Sequence, residues 1–200
     1  NETGLFNISL RQIIQQILPL PYPASTVWAY GRPDKPESFS NPTGTVEVTK
    51  DKMTTVKWIN ELVVNPQVCS VNKASPACDY LLPILTDSNG NSVINQAFHW
   101  ANPARNCVDG RNKTDCAGPL GQAPYRGPTP TVPHVHGAHT YPQYDGYSES
   151  WFLPNSSNIP LGFATEGTSY GGPTTLGSPG PAVKNPGYSV FQYPNDQPTT

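Results

Sequence analysis

The chain has little charge, no long apolar run and few residues suited to a helix interior. Only 13% of its 200 residues are Asp, Glu, Lys or Arg, roughly half the ~25% usual in soluble domains. With a net charge of −2 and an isoelectric point near 6.1, it offers no basic footprint, and nucleic acid is not expected as a partner. No stretch of about 18 apolar residues occurs, so no membrane-crossing helix is expected. The sequence starts at Asn1 with neither Met nor a charged-then-apolar leader, and it reads as a soluble, already processed polypeptide. Its 24 Pro and 17 Gly make up about a fifth of the residues and resist helix interiors, which excludes a long-helix protein.

Aromatics are present in numbers that can fill a core: Trp 4, Tyr 10 and Phe 6, which argues against disorder throughout. The four cysteines fall as Cys69 with Cys78 and Cys107 with Cys116, each pair closing a short segment rich in turn-formers. Neither pair has C-x2-C spacing and no His lies inside either segment, so two local disulfides are a simpler reading than zinc. The other two connectivities stay open. Glycosylation sequons begin at Asn1, Asn7, Asn112 and Asn155. Together with the even cysteine count they lead to the expectation of a secreted, extracellular protein.

Leu10, Ile13, Ile14, Ile17 and Leu18 keep a helical spacing, with Ser9 to cap the start and Pro19 to end it. The spacing predicts a short N-terminal helix over 9–18, followed by Pro-rich ordered coil as far as Thr43. Thr45–Lys50 and Thr54–Ile59 alternate apolar with polar around Asp51-Lys52 and predict a hairpin. A strand is expected near 81–85, another over 131–137 and a last one over 188–193. Residues 1–43 are therefore expected to form a helix and extended segment. Residues 44–200 are expected to form an all-β sandwich or barrel with long Pro/Gly-rich loops, incomplete at its C-terminal end.

Three of the four histidines cluster in Thr131-Val-Pro-His134-Val-His136-Gly-Ala-His139. On a strand, residues two apart point to one face with Cα atoms about 6.5 Å apart. His134 and His136 could then hold two neighbouring metal ions or converge on one. Imidazole suits Cu, Zn, Fe and Ni alike, so the spacing does not choose the metal. Downstream, Asp145-Gly146 is followed by Glu149-Ser-Trp-Phe152. A carboxylate there can orient a ligand imidazole or bond a metal-bound water, although the pair also reads as an ordinary turn. His99, beside Trp100, is expected to be a packed histidine.

His134-Val-His-Gly137, Asp145-Gly146 and Glu149-Ser-Trp-Phe152 resemble the first cupredoxin domain of the multicopper oxidases, in particular the spore-coat-laccase and bilirubin-oxidase-like branch. Val46-Glu-Val48 with Val56-Lys-Trp-Ile-Asn-Glu-Leu62, Phe98-His-Trp-Ala-Asn-Pro103 and Tyr193-Pro-Asn-Asp-Gln-Pro198 resemble other parts of that domain. The resemblance implies a cupredoxin-like Greek-key fold and a laccase-like enzyme. Such an enzyme oxidises a phenol or other small aromatic electron donor by single electrons and reduces dioxygen to water. It implies His134 on the type 2 copper and His136 on one of the type 3 pair of a trinuclear cluster. Asp145 would be the acid assisting proton delivery. The cluster needs more histidines than the 4 present, and a type 1 copper needs a reduced Cys, whereas the four here are expected in disulfides. The remainder of the oxidase, with its further cupredoxin domains, is therefore expected as a partner, on a further segment or a separate cleaved chain.

Two other readings compete. His134, His136 and His139 match the H-x-H-x-x-H spacing of a zinc hydrolase, but Ala138 stands where that motif has an acid. A non-enzymatic secreted β-sandwich that binds glycans or a protein partner is the third.

Overall fold

The computed structural model describes residues 5–62, 129–155, 165–167, 169–171 and 185–198. The four cysteines, His99 and the strand expected near 81–85 lie outside these residues. The described part is all-β. Five strands, β1 (Leu5–Gln15), β2 (Ser25–Arg32), β3 (Lys35–Ser40), β4 (Thr54–Asn60) and β5 (Tyr188–Tyr193), form one sheet in the order β3-β2-β1-β4-β5. The sheet is mixed: β1 runs parallel to β4, and its other pairings are antiparallel. Among the described residues no helix is long and apolar enough to cross a membrane.

The expected N-terminal helix is a strand. Phe6, Ile8 and Leu10 alternate with Asn7, Ser9 and Arg11, and this two-residue period begins before the helical spacing does. β1 is also central, paired along Leu5–Leu10 with β4 and along Ser9–Gln15 with β2. Non-local pairing of this kind overrides a local helical pattern. Of the apolar side chains that suggested a helical stripe, Leu10 is buried, while Ile14, Ile17 and Leu18 are exposed.

The segment read as coil up to Thr43 contains the β2–β3 hairpin, closed at Pro33-Asp34. The hairpin expected at 45–59 is only half present. Residues 45–50 form no strand, Val46 and Val48 are exposed, and β4 takes β1 and β5 as neighbours instead. The strand expected over 131–137 is reduced to a single bridge, Thr131 to Phe152. β5 has the bounds the sequence predicts. Because β1–β3 and β4–β5 share one sheet, the described fold runs without interruption across residue 43.

The register stacks Phe6 on Val56, Ile8 on Trp58, and Val56 on Phe191, all on one face. Tyr144, from a short 3-10 turn at Pro142–Tyr144, packs there with Val56, Phe191 and Tyr193. On the opposite face the Arg11 guanidinium pairs with Glu61 and lies 4.5 Å from the centre of the Phe39 ring. That ring fits because residue 31 is Gly, where a Cβ would fall 2.6 Å from it.

Past the end of β4, buried Trp151, Phe152 and Leu153 form a second small layer. Asn60 joins it to the sheet. Its Nδ2 donates to the carbonyls of Thr129 (2.8 Å) and Phe152 (3.0 Å), and its Oδ1 accepts from the Leu62 N–H.

Candidate metal centre

The chain leaves the Thr131–Phe152 bridge through buried Pro133 and emerges at His134, whose side chain is about half exposed. Val135–Ala138 then form a turn closed by the Ala138 N–H on the Val135 carbonyl at 3.2 Å. His136 occupies its second position and Gly137, at φ +76°, its third. Gly is the residue suited to that left-handed position. The two histidines therefore sit at the entrance and on the corner of a turn, not side by side on a strand. Their ring centroids are 6.4 Å apart and the rings are tilted by 48°.

Asp145 comes back to this corner by two devices. Tyr144 anchors the preceding 3-10 turn in the core, its ring 6.0 Å from that of Phe191, and the Asp145 N–H caps the turn on the Pro142 carbonyl. Gly146 then lies directly against Pro133. Its φ is +76°, and a Cβ at this position would stand 2.0 Å from the Pro133 carbonyl oxygen and 3.2 Å from the His134 Cβ. Only glycine allows that approach.

The result is a contact of 2.6 Å between His134 Nδ1 and the main-chain carbonyl oxygen of Asp145. A carbonyl can only accept, so Nδ1 carries the proton, and in the neutral ring the Nε2 lone pair is left for a ligand. The Asp145 carboxylate is also close, with Oδ1 at 3.4 Å from the same Nδ1. The backbone of Asp145 thus orients the histidine, and the carboxylate remains partly exposed beside it.

His139 faces elsewhere, its Nδ1 3.5 Å from Asp196 Oδ1. Asp196 follows Asn195, a buried residue at φ +57° whose Nδ2 donates to the Lys52 carbonyl and to Thr54 Oγ1. Sequence reasoning missed this carboxylate, which lies 57 residues away in the chain. Among the described residues no group of three or more His, Cys, Asp or Glu could hold an ion, so His134, His136 and His139 do not form a ready three-ligand centre. The Glu149-Ser-Trp-Phe152 stretch serves packing: Trp151 and Phe152 are buried, and the Phe152 ring lies 5.6 Å from that of Tyr170.

No protein-family model matches this chain, and no curated protein matches it. The chemistry of the corner is therefore argued from its own geometry. A metal about 2.0 Å from a ring nitrogen lies about 3.2 Å from the ring centroid, so two imidazoles on one tetrahedral ion have centroids about 5 Å apart. The observed 6.4 Å is wider. It also equals the span of two imidazoles on opposite sides of one ion, so the distance alone does not choose between one shared ion and two adjacent ones. The donor set is compatible with copper: two exposed imidazoles stand together, and one has its tautomer fixed by a hydrogen bond from its other nitrogen.

Proposed function

We propose that this chain is the N-terminal part of a secreted, laccase-like multicopper oxidase, and that His134 and His136 are copper ligands supplied to a trinuclear site completed by other parts of the enzyme. The observation that carries the reading is the His134–Asp145 contact. An exposed imidazole is held by its Nδ1 on a main-chain carbonyl, Nε2 is left to coordinate, and a second imidazole stands 6.4 Å away. A cupredoxin-like Greek key is supported by the all-β sheet and by the sequence resemblance; the strand order β3-β2-β1-β4 is that of the motif, but β4 runs parallel to β1 where a Greek key is antiparallel throughout. Secretion is supported by the even cysteine count and the sequons.

In this reading His134 would hold the type 2 copper through Nε2, and His136 one of the type 3 pair. Bound copper would supply one-electron chemistry, coupling oxidation of a phenol-type donor to reduction of dioxygen to water. The chain's own residues would do the rest. The Asp145 carbonyl keeps the His134 ring from turning, and Gly146 lets that carbonyl reach it. The Asp145 carboxylate, at 40% side-chain exposure, can take a proton from solvent at Oδ1 and present it beside the histidines.

The deciding experiment is element-resolved metal analysis of purified protein, together with any polypeptide that co-purifies, with dioxygen uptake measured on a phenol. Copper present in the wild type, lowered in His134→Ala and His136→Ala together with loss of dioxygen reduction while the copper that gives the blue type 1 colour is kept, is the expected result. Zinc or no metal, or dioxygen reduction retained in both variants, would overturn the assignment.

A further inference from the structure

We propose that the tip of the β1–β2 hairpin, residues 16–24, is a lipid-binding loop that seats in the surface of an uncharged phospholipid bilayer without crossing it. The proposal does not rest on the copper reading. β1 has β4 beside it only along Leu5–Leu10, and β2 has β3 beside it only at Tyr30–Arg32. Residues 11–15 and 25–29 therefore leave the sheet as a two-stranded arm about 15 Å long. The arm is braced near its end, where the Gln15 side-chain amide exchanges hydrogen bonds of 2.9 and 2.8 Å with the Asn41 main chain. Ile14, Ile17, Leu18, Leu20 and Tyr22 are exposed at that end, Leu20 at 82% and Ile14 at 76%. Soluble surfaces expose such residues singly; gathered on one projecting turn, they mark an interaction site.

Two features choose lipid over a protein partner. The first is charge. From Gln12 to Gly31 there is no Asp, Glu, Lys, Arg or His, and the arginines that bound this stretch are engaged, Arg11 by Glu61 and Arg32 by Asp34. The tip therefore has no charged side chain to strip of water on entering a bilayer, and nothing on it favours anionic headgroups. The second is the backbone, whose polar groups are costly in lipid unless they are satisfied within the segment. Pro19, Pro21 and Pro23 have no N–H to satisfy. The Tyr22 N–H donates to the Pro19 carbonyl at 3.1 Å, and Gln16 Nε2 donates to the carbonyls of Leu18 and, at 3.1 Å, Tyr22. A loop that docks on protein keeps such groups outward, since protein interfaces carry about one hydrogen bond per 100–200 Å². Here they turn inward and the leucines outward, with Tyr22 suited to the level of the headgroups.

Co-sedimentation of the whole chain with sucrose-loaded vesicles tests this, with pure phosphatidylcholine and a phosphatidylcholine–phosphatidylserine mixture, each at low and high salt. We expect a partition coefficient on the order of 10³ M⁻¹, below the ~10⁴ M⁻¹ of a single myristoyl chain. It should agree between the two lipids within about twofold and should not be weakened by salt. Leu18→Ser combined with Leu20→Ser should lower it about tenfold or more. Both serines replace exposed side chains, so circular dichroism should be unchanged. Val48→Ser, which alters an exposed valine outside the arm, should bind as the wild type does. In Leu20→Trp the added indole should be quenched by brominated phosphatidylcholine beyond any quenching of the wild type. No binding at millimolar lipid, binding confined to the phosphatidylserine mixture or abolished by salt, undiminished binding by the double serine variant, or an equal loss in Val48→Ser would overturn the proposal. So would a wild-type dimer that the double variant breaks while neither binds vesicles, which would make the tip a contact between two copies of the chain. No metal enters these readings, so failure here and failure of the oxidase assignment are separately visible.

Discussion

From Thr54 to Ile59 every residue of β4 is paired in register with β5, and residues 55–60 are paired with β1 on the other side. Between Thr131 and Gly146 there is one ladder bridge, at Thr131, and the backbone is otherwise fixed by turn bonds, the Tyr144 anchor and the close approach of Gly146 to Pro133. The sheet is held redundantly, so losing one contact there leaves many others. In the histidine corner each device acts alone. Substitutions in the sheet should therefore be read out as stability, and substitutions in the corner as ligand geometry.

The largest expected effect sits on the sheet side. Phe191 is 2% exposed and packs among Val56, Tyr144 and Tyr193. Phe191→Ala should lower the unfolding free energy by about 3–5 kcal/mol, seen as a lower midpoint in urea unfolding. Because Tyr144 leans on the same ring, the variant should also weaken any metal retained by the corner. A loss below ~1 kcal/mol would mean that the core is not built around β5.

Gly146→Ala is the matching break on the other side. The added Cβ meets a carbonyl oxygen at 2.0 Å in a left-handed conformation, so the turn must move and His134 Nδ1 loses its acceptor. Removing such an orienting partner typically costs 10–100-fold in metal affinity, and copper binding measured against a competing chelator should fall by about that factor. The sheet should survive with its circular dichroism intact. If Gly146→Ala binds copper as the wild type does, the carbonyl of Asp145 is not what positions His134.

A third prediction sharpens the contrast through pH. Burial, more than anything else, pushes Tyr193 and Tyr170 well above the ordinary tyrosine pKa of 10.0; at Tyr193 the hydrogen bond from Trp58 works in the opposite direction and Asp145 adds to the rise. Folded pKa values above the unfolded ones mean that the stabilising contribution is fully present below pH 10 and is lost as pH climbs past it. The stability curve should be flat up to about pH 10 and then fall, by at most ~1.4 kcal/mol per pH unit for each group. Tyr193→Phe should make that alkaline slope shallower even though it strands Trp58 Nε1. An unchanged slope in Tyr193→Phe would show that other groups govern alkaline unfolding.

The same division explains what could be read in the sequence. β5 is legible because Tyr188–Tyr193 is a short run of aromatic and β-branched residues bounded by Gly187 and Pro194, and the structure buries every second residue of it. β1 was misread because residues 10–18 carry a helical spacing, and the information that decides against it lies in β2 and β4, far along the chain. β3, with Pro36 and Glu37, has no pattern at all and exists because β2 offers it an edge. At the corner, His134, His136 and Asp145 could be picked from spacing. Their arrangement depends on a main-chain carbonyl and on a glycine that lets it approach, and neither has a side-chain signature. Asp196 beside His139 and the pairing of Tyr30 with Trp58 came only from the folding of distant segments onto one another.

The smallest expected change is the one that separates the two roles of Asp145. Asp145→Asn keeps the main-chain carbonyl that accepts from His134 and removes only the charge at Oδ1. Stability should stay within about 0.5 kcal/mol, since the residue is partly exposed and its side chain supports no packing. Copper affinity should stay within about threefold, far less than the loss in Gly146→Ala, because the imidazole is still oriented by the backbone. What should change is proton supply: an amide cannot take a proton from solvent and pass it on, so dioxygen reduction should slow by about tenfold or more while copper content is kept. Slower turnover with lost copper would mean that the carboxylate, not the carbonyl, holds His134. Unchanged turnover at every pH would leave Asp145 with its backbone role alone.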